Sequence, residues 1–474
     1  MDDELAFASI GELHQKYRNK EVSPVEVTQL FIERIESEDI KLNSFLESSF
    51  DSALKQAKIA EKEIESEINK GLLHGIPVAV KDLELTKGIR TTAGSLLYKD
   101  RIPTTDSIVV QRIKQSGAII LGKTNTPEFG LLGETRNRLG DHCRNPWDLT
   151  KTAGGSSGGS AAAVVAGFCT VATGSDAGGS IRIPASFTGS YGIKPTQGRV
   201  PRPAISPPYS SHTAQSGPIT RTVRDSAILL QIMAGHDNTD IFSINEEVPD
   251  LISASESGSR MDIGKLKVGW SADFGYVNVD PEVKIICEAA FNKFALLGCE
   301  LSESGFSIED PFISWFTLFG TGSFGANGEN WEERSEYMAD YTKQTYKIAE
   351  KLTASDFSKA VGNIRVIRQK LEKEFQDLDL IISPTAPIAA YDCGLPPRIL
   401  SGHDLDDSWP NLSFTYPINS AGYPAASIPA GYTSKGLPVG LHIIGKYGSE
   451  ATIVKASAAY EQVNPWRGYK PPIS

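Results

Sequence analysis

The chain has only five cysteines in 474 residues, Cys143, Cys169, Cys287, Cys299 and Cys393, widely spaced and odd in number. With no Cys-x-x-Cys pair among them, a disulfide framework and a structural zinc site are both unexpected, and reduced thiols are the reading. Basic charge is scarce as well: Lys and Arg total 47 against 58 Asp and Glu, giving a net charge of −11 and a pI near 5.3. There is no general positive field, and no local basic patch, for nucleic acid or anionic lipid to meet. No apolar run approaches the ~18 residues of a membrane-spanning helix. The start, Asp2-Asp3-Glu4, lacks the basic, apolar and small-residue order of a secretory signal. A cytoplasmic enzyme is expected, with no membrane and no nucleic-acid partner. His-Glu-x-x-His is missing, and so is a lysine closing a glycine-rich phosphate loop, which removes the zinc-protease and phosphate-loop readings. No internal repeat stands out.

What the chain has is ordinary globular composition, 40% hydrophobic and 22% charged, at a length that an α/β fold can still organise as one domain. Its glycine is unevenly placed. Eight of the 27 residues from Gly154 to Ser180 are glycine, within the stretch 153–186, AGGSSGGSAAAVVAGFCTVATGSDAGGSIRIPAS. Glycine supplies tight turns and bare N–H groups, as a site built from main-chain donors requires. Two Gly-Gly-Ser units, ending at Ser156 and Ser180, flank an Ala/Val run from Ala161 to Val165 suited to a buried helix. Loop, helix and loop would return both serines to one place. The competing reading is a solvated Gly/Ser linker. Val164, Val165, Phe168, Val171, Ile181 and Ile183 interrupt the tract too regularly for that.

Around this centre, residues 1–70 read as a helical wrapper. Ser9/Glu12 and Ser23/Glu26 have capping-box spacing, Pro24 suits a first turn, and an Ala/Lys/Glu-rich helix follows over 51–70. Residues 71–235 form the core segment that carries this glycine-rich centre. Within it Gly75-Ile76-Pro77-Val78-Ala79-Val80-Lys81-Asp82 is a short apolar strand ending in a lysine, and 108–122 gives helix then buried strand, an α/β signal. Most strand-end lysines point to water. Desolvation behind five mostly apolar residues would instead lower the pKa of Lys81 and make its amine a base. Val200 to Pro208 is proline-rich, and Thr222 to Leu230 opens a helix. Residues 245–264 read as an exposed connection, and 266–270, 378–382, 425–428 and 441–444 as later strands. Aromatics concentrate in 305–346, where Gly320-Thr321-Gly322-Ser323-Phe324-Gly325 suggests a mobile segment walling an apolar pocket.

Gly154-Gly155-Ser156-Ser157-Gly158 satisfies the G-x-S-x-G pattern of a nucleophile elbow, and a shift by one makes Ser157 fit too. The match is weak. Asn145-Pro146-Trp147-Asp148 reads as turn rather than strand, and none of the seven histidines is marked as a partner. A hydrolase without histidine needs another base, and neutral lysine serves in Ser-Lys variants of the triad.

The stretch 153–186, with Lys81-Asp82 upstream and Gly192-Ile193-Lys194-Pro195-Thr196 downstream, resembles the amidase signature family, from about residue 5 to Gly436-Leu437-Pro438-Val439-Gly440. The resemblance implies one α/β domain over 1–474, a mixed, mostly parallel central sheet enclosed by helices, and no cofactor or metal. It assigns Lys81 as base, Ser156 as bridging serine preceded by a cis peptide bond, and Ser180 as nucleophile. It makes Ala177, Gly178 and Gly179 the oxyanion-hole backbone, with Asp176 and Arg182 bracing the loop. The expected substrates are small apolar or aryl carboxamides, anilides or carbamates, taken by a monomer or homodimer. The alternatives are the glutaminase subunit of a tRNA-dependent amidotransferase, whose Arg-containing glutamine segment 306–346 matches poorly, and a catalytically silent binding protein of the same fold.

Overall fold

Both expected capping boxes form, and they fix where the chain starts to wrap the core. Ser9 Oγ accepts the Glu12 N–H at 3.3 Å while the Glu12 carboxylate accepts the Ser9 N–H at 2.7 Å. Ser23 and Glu26 repeat the exchange at 3.2 and 2.7 Å. They open helices Ile10–Arg18 and Pro24–Leu42, which bury Leu13, Tyr17, Val27, Phe31 and Ile35. The computed structural model describes residues 2–202, 213–397, 399–400, 403–404, 409 and 411–473. Most of the expected proline-rich segment, from Pro203 on, lies outside the described residues.

The sheet strands, numbered along the chain, are β1 (Phe45–Ser48), β2 (Pro77–Lys81), β3 (Ile119–Thr124), β4 (Val171–Asp176), β5 (Tyr191–Lys194), β6 (Gln215–Thr220), β7 (Lys267–Trp270), β8 (Glu300–Glu303), β9 (Leu380–Pro384), β10 (Ala425–Tyr432) and β11 (Pro438–Gly445). Among the described residues these eleven make one mixed sheet in the order β1-β3-β2-β4-β6-β5-β10-β11-β9-β7-β8. The expected parallel character resides in two blocks. In one, β2 runs parallel to β3 and β4; in the other, β7 runs parallel to β8 and β9. The middle, from β4 through β6, β5, β10 and β11 to β9, is antiparallel. There, β10 and β11 are joined by a tight turn that Gly436 permits with φ +77° and that the Thr433 N–H closes on the Leu437 carbonyl at 2.8 Å.

Three segments depart from the sequence reading. The wrapper is not wholly helical, because β1 lies inside it and pairs antiparallel with β3. A four-residue strand whose stability comes from its partner leaves too little periodicity to read. Residues 245–264 contain a helix, Leu251–Ser259, capped by Asp250, whose carboxylate accepts the Ser253 N–H at 2.9 Å. Its small buried face of Ser255 and Gly258 approaches the C-terminal helix Glu450–Val463 so closely that a Cβ at Gly258 would collide with the Lys455 carbonyl. The glycines at 320, 322 and 325 do not interrupt anything: Phe312–Asn327 is one continuous helix. Each glycine costs a helix roughly 1 kcal/mol, and burial of Trp315, Phe316 and Phe319 outweighs that.

Candidate active site

Every residue of β2 is buried, so the strand carries Lys81 into the interior at its C-terminal end. The Lys81 N–H is fixed by Thr173 Oγ1 on β4 at 2.9 Å. Its Nζ lies 2.7 Å from Ser156 Oγ, 2.8 Å from Ser157 Oγ, 3.0 Å from Ser175 Oγ and 3.4 Å from the Ser175 carbonyl. Burial pushes the amine well below its usual pKa, and the nearby charge of Arg202 pushes the same way, against Asp176 and Glu84. A neutral amine offers two N–H donors and one lone pair. Ser157 cannot give that lone pair a proton, because its hydroxyl donates to the Ser175 carbonyl at 3.2 Å while accepting the Ser175 N–H at 3.3 Å. Among the described residues Ser156 is held by no such bond, so its proton is available.

The Gly/Ser tract is no linker, since 152–176 is buried throughout. The expected turn forms at Pro146-Trp147, and it joins Arg144–Asn145 to Asp148–Thr152 in a separate hairpin, so the strand that precedes Ser156 is not part of the main sheet. The Gly155–Ser156 peptide bond is cis. Behind it the chain at Glu134 approaches so closely that a Cβ at Gly155 would meet the Glu134 nitrogen at 2.6 Å. Thr135 Oγ1 clasps the same loop, donating to the Gly154 carbonyl at 2.8 Å and accepting the Gly158 N–H at 3.0 Å. Helix Gly158–Val165 then runs under the site, buried along its whole length. It is followed by a strand, β4, which the loop–helix–loop reading does not contain.

β4 delivers Asp176 and the turn to Ser180. Arg182 grips Asp176 at two points, Nε to Oδ2 at 2.9 Å and Nη2 to Oδ1 at 3.0 Å. Burial raises the Asp176 pKa, but the Arg182 charge and hydrogen bonds outweigh it and hold the carboxyl far below the usual range. Asn419 Nδ2 donates to the same carboxylate at 2.8 Å, and His442 Nε2 lies 2.9 Å from Arg182 Nη1. Burial and Arg182 keep His442 neutral, so it accepts that bond. The carboxylate in turn accepts the N–H of Gly179 at 2.7 Å and of Ile181 at 3.1 Å.

That last pair corrects the donor cradle. The sequence reading has Gly179 contribute an N–H, but its donor points into Asp176. Among the described residues the N–H groups of Ala177, Gly178 and Ser180 meet no protein acceptor. Gly179 instead supplies conformation, with φ +139° and Thr415 Oγ1 crowding the place a Cβ would take. Trp315 Nε1 donates to the Ala177 carbonyl at 2.8 Å, which turns the Gly178 N–H of that peptide the other way, and Thr415 Oγ1 donates to the Gly178 carbonyl at 2.5 Å, which turns the Gly179 N–H of the next peptide towards Asp176.

Ser156 and Ser180 open onto one cavity with Leu83, Phe129, Gly130, Ser175, Ala177, Arg202, Ala214, Phe319 and Ser323. No hydrogen bond joins the two hydroxyls directly; the loops that carry them are joined through the backbone, Ser157 N–H to Ser180 carbonyl at 3.1 Å. From the aromatic stretch 305–346, Phe319 reaches the cavity, Trp315 braces the turn, and Phe306 packs elsewhere, edge-on to Phe274. Sequence reasoning weighed Ser157 only as an alternative elbow serine and missed Ser175, Phe129, Asn419 and His442. Only the serines carried a local signal, as neighbours of residues already singled out.

This arrangement has relatives. A family model described as Amidase matches residues 26–454, and the chain belongs to the amidase signature family of amidohydrolases. Over 99% of its length it is 34% identical to 98% of an acylamidase of Rhodococcus erythropolis. It is equally similar, 34% over 98% of its length and 99% of the relative, to a glutamyl-tRNA(Gln) amidotransferase subunit of Geobacter sp. (strain M21). The crystal structure of a bacterial aryl acylamidase of the same family superposes with a TM-score of 0.89 at 30% identity, covering 97% of both chains.

Proposed function

We propose that the protein hydrolyses small apolar or aryl carboxamides and anilides, and carbamates of similar shape, through an acyl-enzyme on Ser180. The observation that carries this reading is the Lys81–Ser156 contact of 2.7 Å at a buried strand end, beside a mostly apolar cavity that Ser180 shares. The Ser180 oxygen bonds to the substrate carbonyl carbon as its proton passes to Ser156 Oγ and the Ser156 proton passes to the lone pair of Lys81. The carbonyl π electrons move to oxygen, where the N–H groups of Ala177, Gly178 and Ser180 meet the charge. An oxyanion donor of this kind is worth roughly 3–4 kcal/mol. Collapse breaks the C–N bond, and the leaving nitrogen takes a proton from Ser156, which Lys81 replenishes. Water then attacks the ester by the same relay, Ser180 regains its proton as the C–O bond breaks, and a carboxylic acid, or from a carbamate a carbonic half-ester, is released.

Leu83, Phe129, Ala177, Ala214 and Phe319 favour an apolar acyl group. The likeness to an acylamidase and an aryl acylamidase supports the same class. A second reading, glutamine hydrolysis within an amidotransferase, draws on the equal similarity to the Geobacter protein and on Arg202, a cation at the cavity suited to a carboxylate. Turnover of p-nitroanilides, primary amides, aryl carbamates and glutamine, measured side by side, decides. Anilide turnover with glutamine inert supports the first reading; glutamine turnover with anilides inert rejects it.

A further inference from the structure

A second group of reactive side chains stands outside the catalytic cavity, and no step of amide hydrolysis uses it. Glu134 and His142 come from one stretch and Cys393 from another far along the chain, yet one ligand atom of each lies within 4.8 Å of the other two. Glu134 is 3% exposed, His142 is 28% exposed and Cys393 is partly exposed, so the cluster is anchored inside and opens to solvent. The three are placed by separate contacts. Glu134 Oε1 is 2.7 Å from His142 Nδ1 and accepts the Gly394 N–H at 2.7 Å. Gly394, with φ +74°, lays the chain against the His142 ring, 3.2 Å from Cε1 to the position of a Cβ. The Cys393 N–H donates to the Thr150 carbonyl at 3.0 Å.

We propose that Glu134, His142 and Cys393 form a binding site for a borderline-soft divalent cation of the Zn2+ type, with solvent water as fourth ligand. A thiolate, an imidazole and a carboxylate are the donor types such an ion takes, whereas Mg2+ and Ca2+ require oxygen throughout. Metal–ligand distances of about 2.0–2.3 Å set tetrahedral ligand separations near 3.3–3.8 Å, so a cluster spanning 4.8 Å closes on the ion by side-chain rotation of roughly one ångström. Binding exchanges the Cys393 thiol proton for the cation, while His142 binds through one ring nitrogen as a neutral imidazole and keeps its proton on the other.

The site has a route to the catalytic loop. Glu134 is the residue whose backbone abuts Gly155, and the next residue, Thr135, clasps Gly154 and Gly158. A bound cation therefore ties the support of the Gly155–Ser156 bond to the hairpin and the 391–394 segment.

The test uses the full-length protein freed of metal by chelation and dialysis. One equivalent of Zn2+ should bind, and Co2+ should give a near-ultraviolet thiolate-to-cobalt band that Cys393→Ser abolishes. His142→Ala and Cys393→Ser should each weaken Zn2+ by more than about tenfold, a loss already seen when only a residue supporting a ligand is changed. In the unmutated protein, Zn2+ should slow alkylation of the Cys393 peptide, a readout free of folding defects in variants. Zn2+ binding that survives His142→Ala and Cys393→Ser combined in one protein, or alkylation of Cys393 unchanged by saturating Zn2+, overturns the proposal.

Discussion

Asp176 and Arg182 face each other across two hydrogen bonds with neither side chain exposed to solvent. This ion pair links stability to chemistry, because the same carboxylate fixes the Gly179 and Ile181 N–H groups on either side of Ser180. Arg182→Met leaves a buried charge without its partner, which costs about 3–5 kcal/mol. Arg182→Lys keeps the charge but loses the two-pronged grip and falls between. Urea denaturation of the three proteins measures the order; equal midpoints would contradict it.

The serines separate by role. Ser180→Ala should abolish labelling by a fluorophosphonate probe, since no nucleophilic oxygen remains. Ser156→Ala should retain slow labelling and lose about 10²–10⁴ in amide turnover, the range of a positioned proton-transfer group. Ser157→Ala, which removes an acceptor from Lys81 but no mobile proton, should cost least. Mass-spectrometric labelling rates check the order, and complete labelling of Ser180→Ala would sink the assignment.

The reactive form of Lys81 is the neutral amine, so kcat/KM should fall as pH drops through its lowered pKa and hold level above it. Arg202 is one of the causes that depress that pKa. Arg202→Gln should therefore raise it and move the acidic limb of the profile to higher pH. A profile recorded from acid to alkaline pH for both proteins shows whether the limb moves; a limb that stays put removes Arg202 from the account.

A second buried lysine gives a stability readout. Burial brings Lys194 to a pKa of about 7, with the Arg182 charge adding to the effect. In the unfolded chain the group binds its proton up to its ordinary pKa near 10.5. Between those values the unfolded state holds more protons, so stability rises with pH. Lys194→Met should flatten this rise, with its largest relative gain at and below pH 7. Denaturation midpoints at pH 6, 8 and 10 test the sign.

Phe319 and Trp315 sit one helical turn apart and do different things. Phe319→Ala should open the cavity and shift preference towards bulkier acyl groups, read as kcat/KM across a series of anilides. Trp315→Ala removes a fully buried ring, a change that costs about 3–5 kcal/mol, and frees the Ala177 carbonyl that its indole holds. It should lower kcat for every substrate alike.

Much of the site is legible in the sequence because its signals are local. Ser9/Glu12 and Ser23/Glu26 lie within one helical turn, and the glycines around Ser156 and Ser180 announce a close-packed backbone within a single stretch. Lys81 is legible as the end of an apolar strand. Asn419 and His442 reach the Asp176–Arg182 pair from more than 200 residues away, and such contacts leave no trace in neighbouring letters. The Gly179 donor is misassigned from sequence although a signal exists: an aspartate commonly accepts N–H groups a few residues on, and Asp176 precedes Gly179 by three. Glu134, His142 and Cys393 show the same blindness, since the spacing rules for metal ligands register thiols close together in sequence and not a cluster assembled by folding.

The two outermost strands have a bearing on how the protein behaves at high concentration. β1 and β8 are four residues long, and β8 carries the exposed carboxylates of Glu300 and Glu303, one on each of its faces. A second molecule approaching either border finds few free backbone groups to pair with, and at β8 it brings negative charge against negative charge. The wide sheet on which the catalytic serines depend is thereby guarded against joining with its neighbours into fibrous aggregates.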